Sequence, residues 1–168
     1  MGVNDAGQTV GTCEYFNPVD NTYDYESWVS FFGPYTFSCP TAVDTMANAI
    51  NNGGEVVGSF DANSMGPTVG FVASYGNCSG NPINHPGASA TVLTGVNDSG
   101  TVVGFWSAGN HPKAFLYSTA TGEFTDIPLP FKSWKGMMTG QINNNGWFVG
   151  AFFDRYQRPH AFLAAPNN

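Results

Sequence analysis

The chain has 168 residues, 42% hydrophobic but only 10% charged, with a formal net charge of −7. That is one domain-sized unit with enough apolar side chains for a core, and its acidity speaks against general binding to nucleic acid or to an anionic membrane surface. No apolar run reaches the roughly 20 residues of a membrane-crossing helix, so no membrane insertion is expected.

Leucine occurs only four times, at 93, 116, 129 and 163. Gly, Pro, Asn, Thr, Val and the aromatics dominate, which favours short strands and tight turns over helices. The N-terminal segment Gly2-Val3-Asn4-Asp5-Ala6-Gly7-Gln8-Thr9-Val10-Gly11 recurs as Ile50–Gly58, Thr94–Ser107 and Ile142–Gly150. The leading asparagines stand at 4, 51, 97 and 143, in steps of 47, 46 and 46 residues. A period of that size marks a solenoid, a propeller or an array. A repeat already under way at Gly2 leaves no room for a signal peptide, so any export signal is expected upstream.

Repeat one, about 2–48, begins without a first strand A. Its strand C is expected near Trp28–Phe32 and its strand D near Tyr35–Cys39. Repeat two, about 49–94, places strand C at Thr68–Tyr75 and a Gly/Asn/Pro-rich strand D before His85-Pro86. Repeat three, about 95–140, is the cleanest. Strand A over Ala90–Gly95 leads into it. Asn97-Asp98-Ser99-Gly100 is a tight turn, because Asn and Asp bond their own backbone and Gly accepts positive φ. Strand B is Thr101–Trp106, strand C Lys113–Ser118 and strand D Glu123–Ile127. Repeat four, about 141–168, ends after strand C at Ala161–Leu163 and lacks strand D. Each repeat is a four-stranded antiparallel meander.

Strand B is apolar on both faces: Val56, Gly58 and Phe60 share one, Val57 the other, and repeats three and four copy this. A strand covered on both sides by copies of itself, with a Gly where another backbone or a large ring approaches, describes a propeller blade. The expected fold is therefore all-β, a four-bladed propeller-like array within a single repeat domain spanning 1–168. The mid-strand glycines are expected where neighbouring blades approach.

The four Asn-x-x-Gly-x-x-Val-Gly hairpins, His160-Ala161-Phe162-Leu163, Lys113-Ala114-Phe115-Leu116, and the Cys39-Pro40, His85-Pro86-Gly87 and Ile127-Pro128 elements come in one order and spacing. Together they resemble a bacterial extracellular repeat family named for its His-Ala-Phe motif. The resemblance covers nearly the whole chain and departs most in repeat one, where Val29-Ser30-Phe31 replaces the motif. It implies secreted or cell-surface location and a propeller-like fold, and it carries no agreed activity.

Three cysteines, Cys13, Cys39 and Cys78, allow at most one intramolecular disulfide. Three small buried hydrophobes are the other reading. The repeat asparagines could line a ring of amide ligands, against the plainer role of capping their own turns. His85, His111 and His160 fall at unlike repeat positions and match no zinc spacing, so no metal and no cofactor are expected. No nucleophile elbow, catalytic-cysteine context or phosphate loop is present. Paired carboxylates, for example Asp61 with Asp154, are conceivable only if the fold brings them together. An enzyme, a polysaccharide hydrolase or lyase, is the least favoured class.

The A–B turns are tight and alike, whereas the B–C and D–A connections at the other end vary. From repeat Asn to strand C Phe the spacing is 27 residues in repeat one, against 20, 18 and 19 in the others. The excess lies in Glu14–Ser27. Variable loops on a rigid scaffold are where binding resides. The candidate ligand-binding residues are Tyr15, Tyr23, Tyr25, Lys132, Trp134, Arg155, Tyr156 and Arg158, with Asp20, Asp24 and Glu26 making one side of the mouth acidic and the basic groups making the other positive. The expected function is non-catalytic binding of a polysaccharide or cell-surface glycan. The alternative is a structural module that self-associates through its open terminal edges.

Overall fold

A computed structural model describes residues 1–19, 21–30, 33–63, 66–78, 81–109, 111–128 and 135–166. Fourteen strands and no helix occur among them: β1 (Gly2–Val3), β2 (Thr9–Asn17), β3 (Thr22–Ser30), β4 (Pro34–Phe37), β5 (Asp44–Ile50), β6 (Glu55–Asp61), β7 (Thr68–Ser74), β8 (Ala90–Val96), β9 (Thr101–Ser107), β10 (Lys113–Ser118), β11 (Phe124–Asp126), β12 (Met137–Ile142), β13 (Phe148–Phe153) and β14 (Pro159–Ala164). The order within sheets is β1-β2-β3-β4, then β5 through β11, then β12-β13-β14. The middle sheet is two repeat meanders joined by one parallel pair, Thr68 with Ala90. All other strand neighbours are antiparallel, and no sheet closes on itself.

The meander reading holds with three differences. A short strand A exists in repeat one, because β1 pairs with β2. Glu14–Ser27 is not a loop: strands B and C of repeat one run on through it as a long hairpin, from Thr9 opposite Ser30 to Asn17 opposite Thr22. Repeat two forms no strand D among the described residues, and only the isolated bridge of Ile83 to Gly70 stands beside β7. Its Gly and Pro content explains this, since proline cannot donate to a ladder.

The recurring turn explains how the repeats stack. The asparagine Oδ1 caps its own turn, accepting from the Ala6 and Gln8 amides at Asn4, from Glu55 at Asn51, from Ser99 and Thr101 at Asn97, and from Asn145 and Trp147 at Asn143. A glycine at positive φ completes each turn, Gly100 at 75° for instance. The Nδ2 of the same residue then reaches the next repeat. Asn4 donates to the Asn51 carbonyl at 3.0 Å, Asn51 to Asn97 at 3.0 Å, and Asn97 to Asn143 at 3.2 Å. A second rung runs beside it. The amides of Asp5, Asn52 and Asp98 donate to the side-chain oxygens of Asn52, Asp98 and Asn144, at 2.8, 2.9 and 2.9 Å. Turn capping was legible in the sequence; the relay between repeats was not.

Apolar packing follows the same step. Val10, Val29 and Phe37 of the β1–β4 meander share a core with Ala47, Ile50, Val56 and Phe71 of the β5–β7 meander. Ala49 and Val57 of repeat two share the next with Leu93, Val96, Val102, Trp106 and Phe115. The mid-strand glycines serve a different contact from the expected one. A Cβ on Gly104 would meet the Val92 carbonyl of β8 and the Phe115 ring of β10, both within the same β8–β11 meander. Gly58 and Gly150 repeat this with Met46 and Phe71, and with Met138 and Phe162. Glycine is needed there because the phenylalanine of strand C lies across it and strand A bulges toward it.

Of the two readings of the cysteines, the disulfide is realised. Cys39 and Cys78 are bonded, with Cα atoms 5.0 Å apart, and Cys13 is a free, exposed thiol. The bridge ties the segment after β4 to the segment after β7. It therefore clamps repeats one and two at the place where the Tyr35 hydroxyl donates to the Tyr75 carbonyl.

Candidate functional site

The β2–β3 hairpin extends past the repeat framework at the B–C end. Register assigns its faces. Glu14 pairs with Tyr25 and Phe16 with Tyr23, so these four share one face. Tyr15 pairs with Asp24 and Cys13 with Glu26 on the other. Phe16 and Tyr23 are 49% and 62% exposed, with ring centroids 5.5 Å apart in an edge arrangement. Tyr25 is also exposed, and its hydroxyl donates to the Glu14 carboxylate at 2.8 Å. That bond and the charge of Glu14 hold the Tyr25 phenol above its ordinary pKa, because losing its proton would set two negative charges together. Tyr15 is raised as well, first by partial desolvation and then by Asp24, Glu26 and Asp44.

The base of the hairpin is fixed to repeat two. Ser27 is fully buried, donates to the Thr45 carbonyl at 2.8 Å and accepts from the Ala47 amide at 2.7 Å. The Tyr25 amide donates to Asp44 at 2.7 Å, and Asp44 stands directly opposite Asp61 across β5 and β6. At the tip, Asp24 accepts from Asn17 and Thr22. The hairpin is therefore an aromatic wall with carboxylates on both faces, rigid at its root.

Arg155, Tyr156 and Arg158 lie on the β13–β14 turn of repeat four, at the same end but three repeats away. The Asp154 carboxylate accepts from the Tyr156 and Arg158 amides, the Arg158 Nε and the His160 Nε2. Its partial desolvation alone would raise its pKa, but these bonds outweigh that and hold it well below the ordinary range. Both guanidinium groups lie over the Tyr156 ring, at 4.6 Å and 5.1 Å. That ring is occupied by its own neighbours, and Asp154 is committed to its turn rather than to Asp61. Lys132 and Trp134 fall outside the described residues, as does Asp20.

The expected eight-residue site is thus not one constellation. Tyr23 and Tyr25 come together, Tyr15 faces away from them, and the basic turn forms a separate cluster. Phe16, which completes the aromatic face, was missed. Its signal is Pro18 beside Asn17: proline stops the ladder there, the Asn21 amide donates to the Asn17 carbonyl, and the register opposes Phe16 to Tyr23.

The first position of the His-Ala-Phe element also gains a role. His160 stacks on Phe152, its cross-strand partner, at 4.9 Å, and Lys113 sits over Trp106, its own partner, at 4.7 Å. His85, which is buried, stacks on the same Trp106 ring at 4.2 Å with Nε2 3.1 Å from Asp126. The Trp106 indole donates to that same carboxylate. His111, the third histidine, instead sets its Nδ1 2.7 Å from the Lys135 carbonyl.

No family model and no curated protein matches the chain. Among solved structures it is similar to the crystal structure of TolB from Acinetobacter baumannii, a β-propeller protein, with a TM-score of 0.51 and 14% identity. The alignment covers 96% of this chain and 42% of that one, so the chain spans less than half of that structure's length. The likeness concerns the fold alone.

Proposed function

We propose that this chain is a non-catalytic binding module of a secreted or cell-surface protein, a four-bladed propeller-like array grouped with the extracellular His-Ala-Phe repeats, and that the β2–β3 hairpin binds a polysaccharide or cell-surface glycan. The observation that carries the reading is the exposed face of Phe16, Tyr23 and Tyr25 beside Glu14. Flat aromatic rings accept the apolar face of a sugar at little entropic cost. Ionised carboxylates accept hydrogen bonds from its hydroxyls. The acidity of the hairpin favours neutral or amino-bearing sugars over acidic ones.

The test is a glycan array followed by affinity electrophoresis in gels cast with the polysaccharides that score. Tyr23→Ala/Tyr25→Ala should lose retention with unchanged melting, because both rings are exposed. Tyr156→Ala should bind as the parent does. A parent that binds no glycan, or a double variant that binds as well as the parent, rejects this function. Release of reducing ends from any polysaccharide would reject the non-catalytic reading.

A further inference from the structure

The four recurring turns meet around one shallow cup of about 200 Å3. Its walls are the last residues of β1, β5, β8 and β12, each a Val or Ile, and the Asn and Asp residues that follow them. One place earlier in β12, the Gln141 side chain donates to the Thr94 carbonyl of β8 at 3.0 Å and to the Asn48 carbonyl of β5 at 3.5 Å. Its counterparts in the other turns are Gly2, Ala49 and Gly95. Three small residues make room for one long side chain, which ties three of the inner strands together beside the cup.

The relay is complete at three steps around this cup and interrupted at the fourth. Asn4, Asn51 and Asn97 each donate through Nδ2 to the next asparagine carbonyl, and the amides of Asp5, Asn52 and Asp98 donate to the next side chain. From Asn143 and Asn144 to Asn4 and Asp5 neither bond is made among the described residues, although all four residues line the cup. The Asn143 Nδ2 and the Asn144 amide therefore keep their hydrogens for a guest. On the other side, the Asn4 carbonyl accepts only from the Gly7 amide, and the Asp5 carboxylate accepts only through Oδ2, from Asn52 at 2.8 Å. Asn144 shows the same interruption. Asn52 donates to both Asp5 and Asp98, whereas Asn144 donates to Asp98 alone, at 2.7 Å.

The chemistry of the walls selects the guest. Asp5 and Asp98 are both on the cup and no Lys, Arg or His lines it, so an anion is repelled. A metal ion is poorly matched, because amide N–H groups stand beside the carboxylates and no group of three metal-ligating side chains occurs among the described residues. An apolar guest would strand the open donors and acceptors. A polyol is matched, since each hydroxyl both donates and accepts. Space equal to roughly six waters of liquid holds about one sugar ring.

We infer that this cup is a second binding site, separate from the β2–β3 hairpin, which takes one neutral or ammonium-bearing sugar unit by bridging the donors of Asn143 and Asn144 to the acceptors of Asn4 and Asp5. The hairpin stands at the B–C end of the meanders and the cup at the A–B end, so the inference does not rest on the reading of the hairpin.

Titration of the isotope-labelled whole chain with glucose, glucosamine and glucuronate, followed through amide chemical shifts, tests this. A guest of that size binds with a Kd on the order of a millimolar. Glucose and glucosamine should shift the amides of Asn4, Asp5, Asn143 and Asn144 to saturation, with glucosamine the tighter, and glucuronate should bind about tenfold more weakly than glucose. Asn143→Asp keeps the Oδ1 that caps its turn and removes the Nδ2 donor; Asp5→Ala removes the acceptor opposite. Each should raise the Kd for glucose about tenfold, the loss of one good hydrogen bond, with melting as in the parent because both residues are exposed. Should one variant melt early, the other carries the test. Tyr23→Ala/Tyr25→Ala should leave the titration unchanged while losing glycan retention, so failure at either site is distinguishable from failure at the other. The inference is overturned if neither sugar gives a saturable shift at these four amides up to about 100 mM, roughly a hundredfold above a millimolar Kd. Shifts confined to the hairpin, glucuronate binding as tightly as glucose, or glucose binding unchanged in the folded variants would overturn it equally.

Discussion

Asn97→Ala removes more of this structure than its size suggests. The side chain is 4% exposed, and its Oδ1 accepts from the Ser99 amide at 3.1 Å, the Ser99 hydroxyl at 2.8 Å and the Thr101 amide at 2.9 Å, while Nδ2 donates to the Asn143 carbonyl at 3.2 Å. Four bonds at about 1 kcal/mol net each set an upper figure near 4 kcal/mol. Water reaches the outer turn donors, which lowers the expected loss to about 2–3 kcal/mol. For a domain of this size each kcal/mol moves the melting temperature by about 2–4 °C, so a fall of roughly 4–12 °C should appear by differential scanning calorimetry. Asn97→Asp separates the two roles. It keeps the Oδ1 cap but places an oxygen against the Asn143 carbonyl, and should cost about 1–2 kcal/mol through the relay alone. Asn143→Ala is the internal control, since that residue caps an exposed turn and its Nδ2 makes no hydrogen bond among the described residues; its loss should be less than half that of Asn97→Ala. Equal losses at 97 and 143, or an Asn97→Asp variant as stable as the parent, would refute the relay as a source of stability.

Gly104→Ala should cost about 1–2 kcal/mol net, read from urea unfolding. The added Cβ would lie 2.6 Å from the Phe115 ring and closer still to the Val92 carbonyl, an overpacking of about 1–3 kcal/mol that the ordinary preference for Ala in a strand offsets by roughly 0.5–1. Gly140→Ala, whose Cβ would come no closer than 3.3 Å to Val149, should be near neutral in the same assay. Reducing Cys39–Cys78 opens a closure 39 residues long in sequence separation; by loop entropy this costs about 4 kcal/mol, a fall of roughly 8–16 °C on thermal melting with reductant. Asp98 is held below its usual pKa first by the Asn52 amide and then by the Asn52 side chain, with Asn144 adding to this against partial desolvation. Its contribution is therefore complete above the unfolded carboxylate value of about 4 and is lost as pH falls below that. The gap in melting temperature between the parent and Asp98→Asn should be constant from pH 7 to 5 and shrink toward pH 2.5.

The period, the meanders and the two-sided burial of strand B were all legible, because backbone alternation and turn chemistry are local and leave local marks. Val57 and Val103 are buried as that pattern requires. Val149 carries the same pattern and is exposed, because burial of that face is decided by what stands next to it. The glycines were read correctly as sites of close approach but assigned to the wrong neighbour. Sequence shows that Gly104 must admit something; only register shows that it is Phe115 of its own repeat and a bulged carbonyl of β8. The extended hairpin was counted as excess residues and read as a loop. Its aromatics are spaced both one and two apart, so no single face could be named until Asn17 was seen opposite Thr22.

The site failed to assemble as expected for a related reason. Position within a repeat predicts the end of the meander at which a residue lies, and Tyr25 and Arg158 do lie at the same end. It does not predict proximity across repeats, which depends on curvature and on whether the array returns to its start. Here the turns of all four repeats line one pocket, with Asn4 and Asn143 both on it, while the hairpin of repeat one and the β13–β14 turn of repeat four are each engaged with their own neighbours. The same asparagine side chain that closes each turn also gives the array its direction, with donors leading and acceptors trailing.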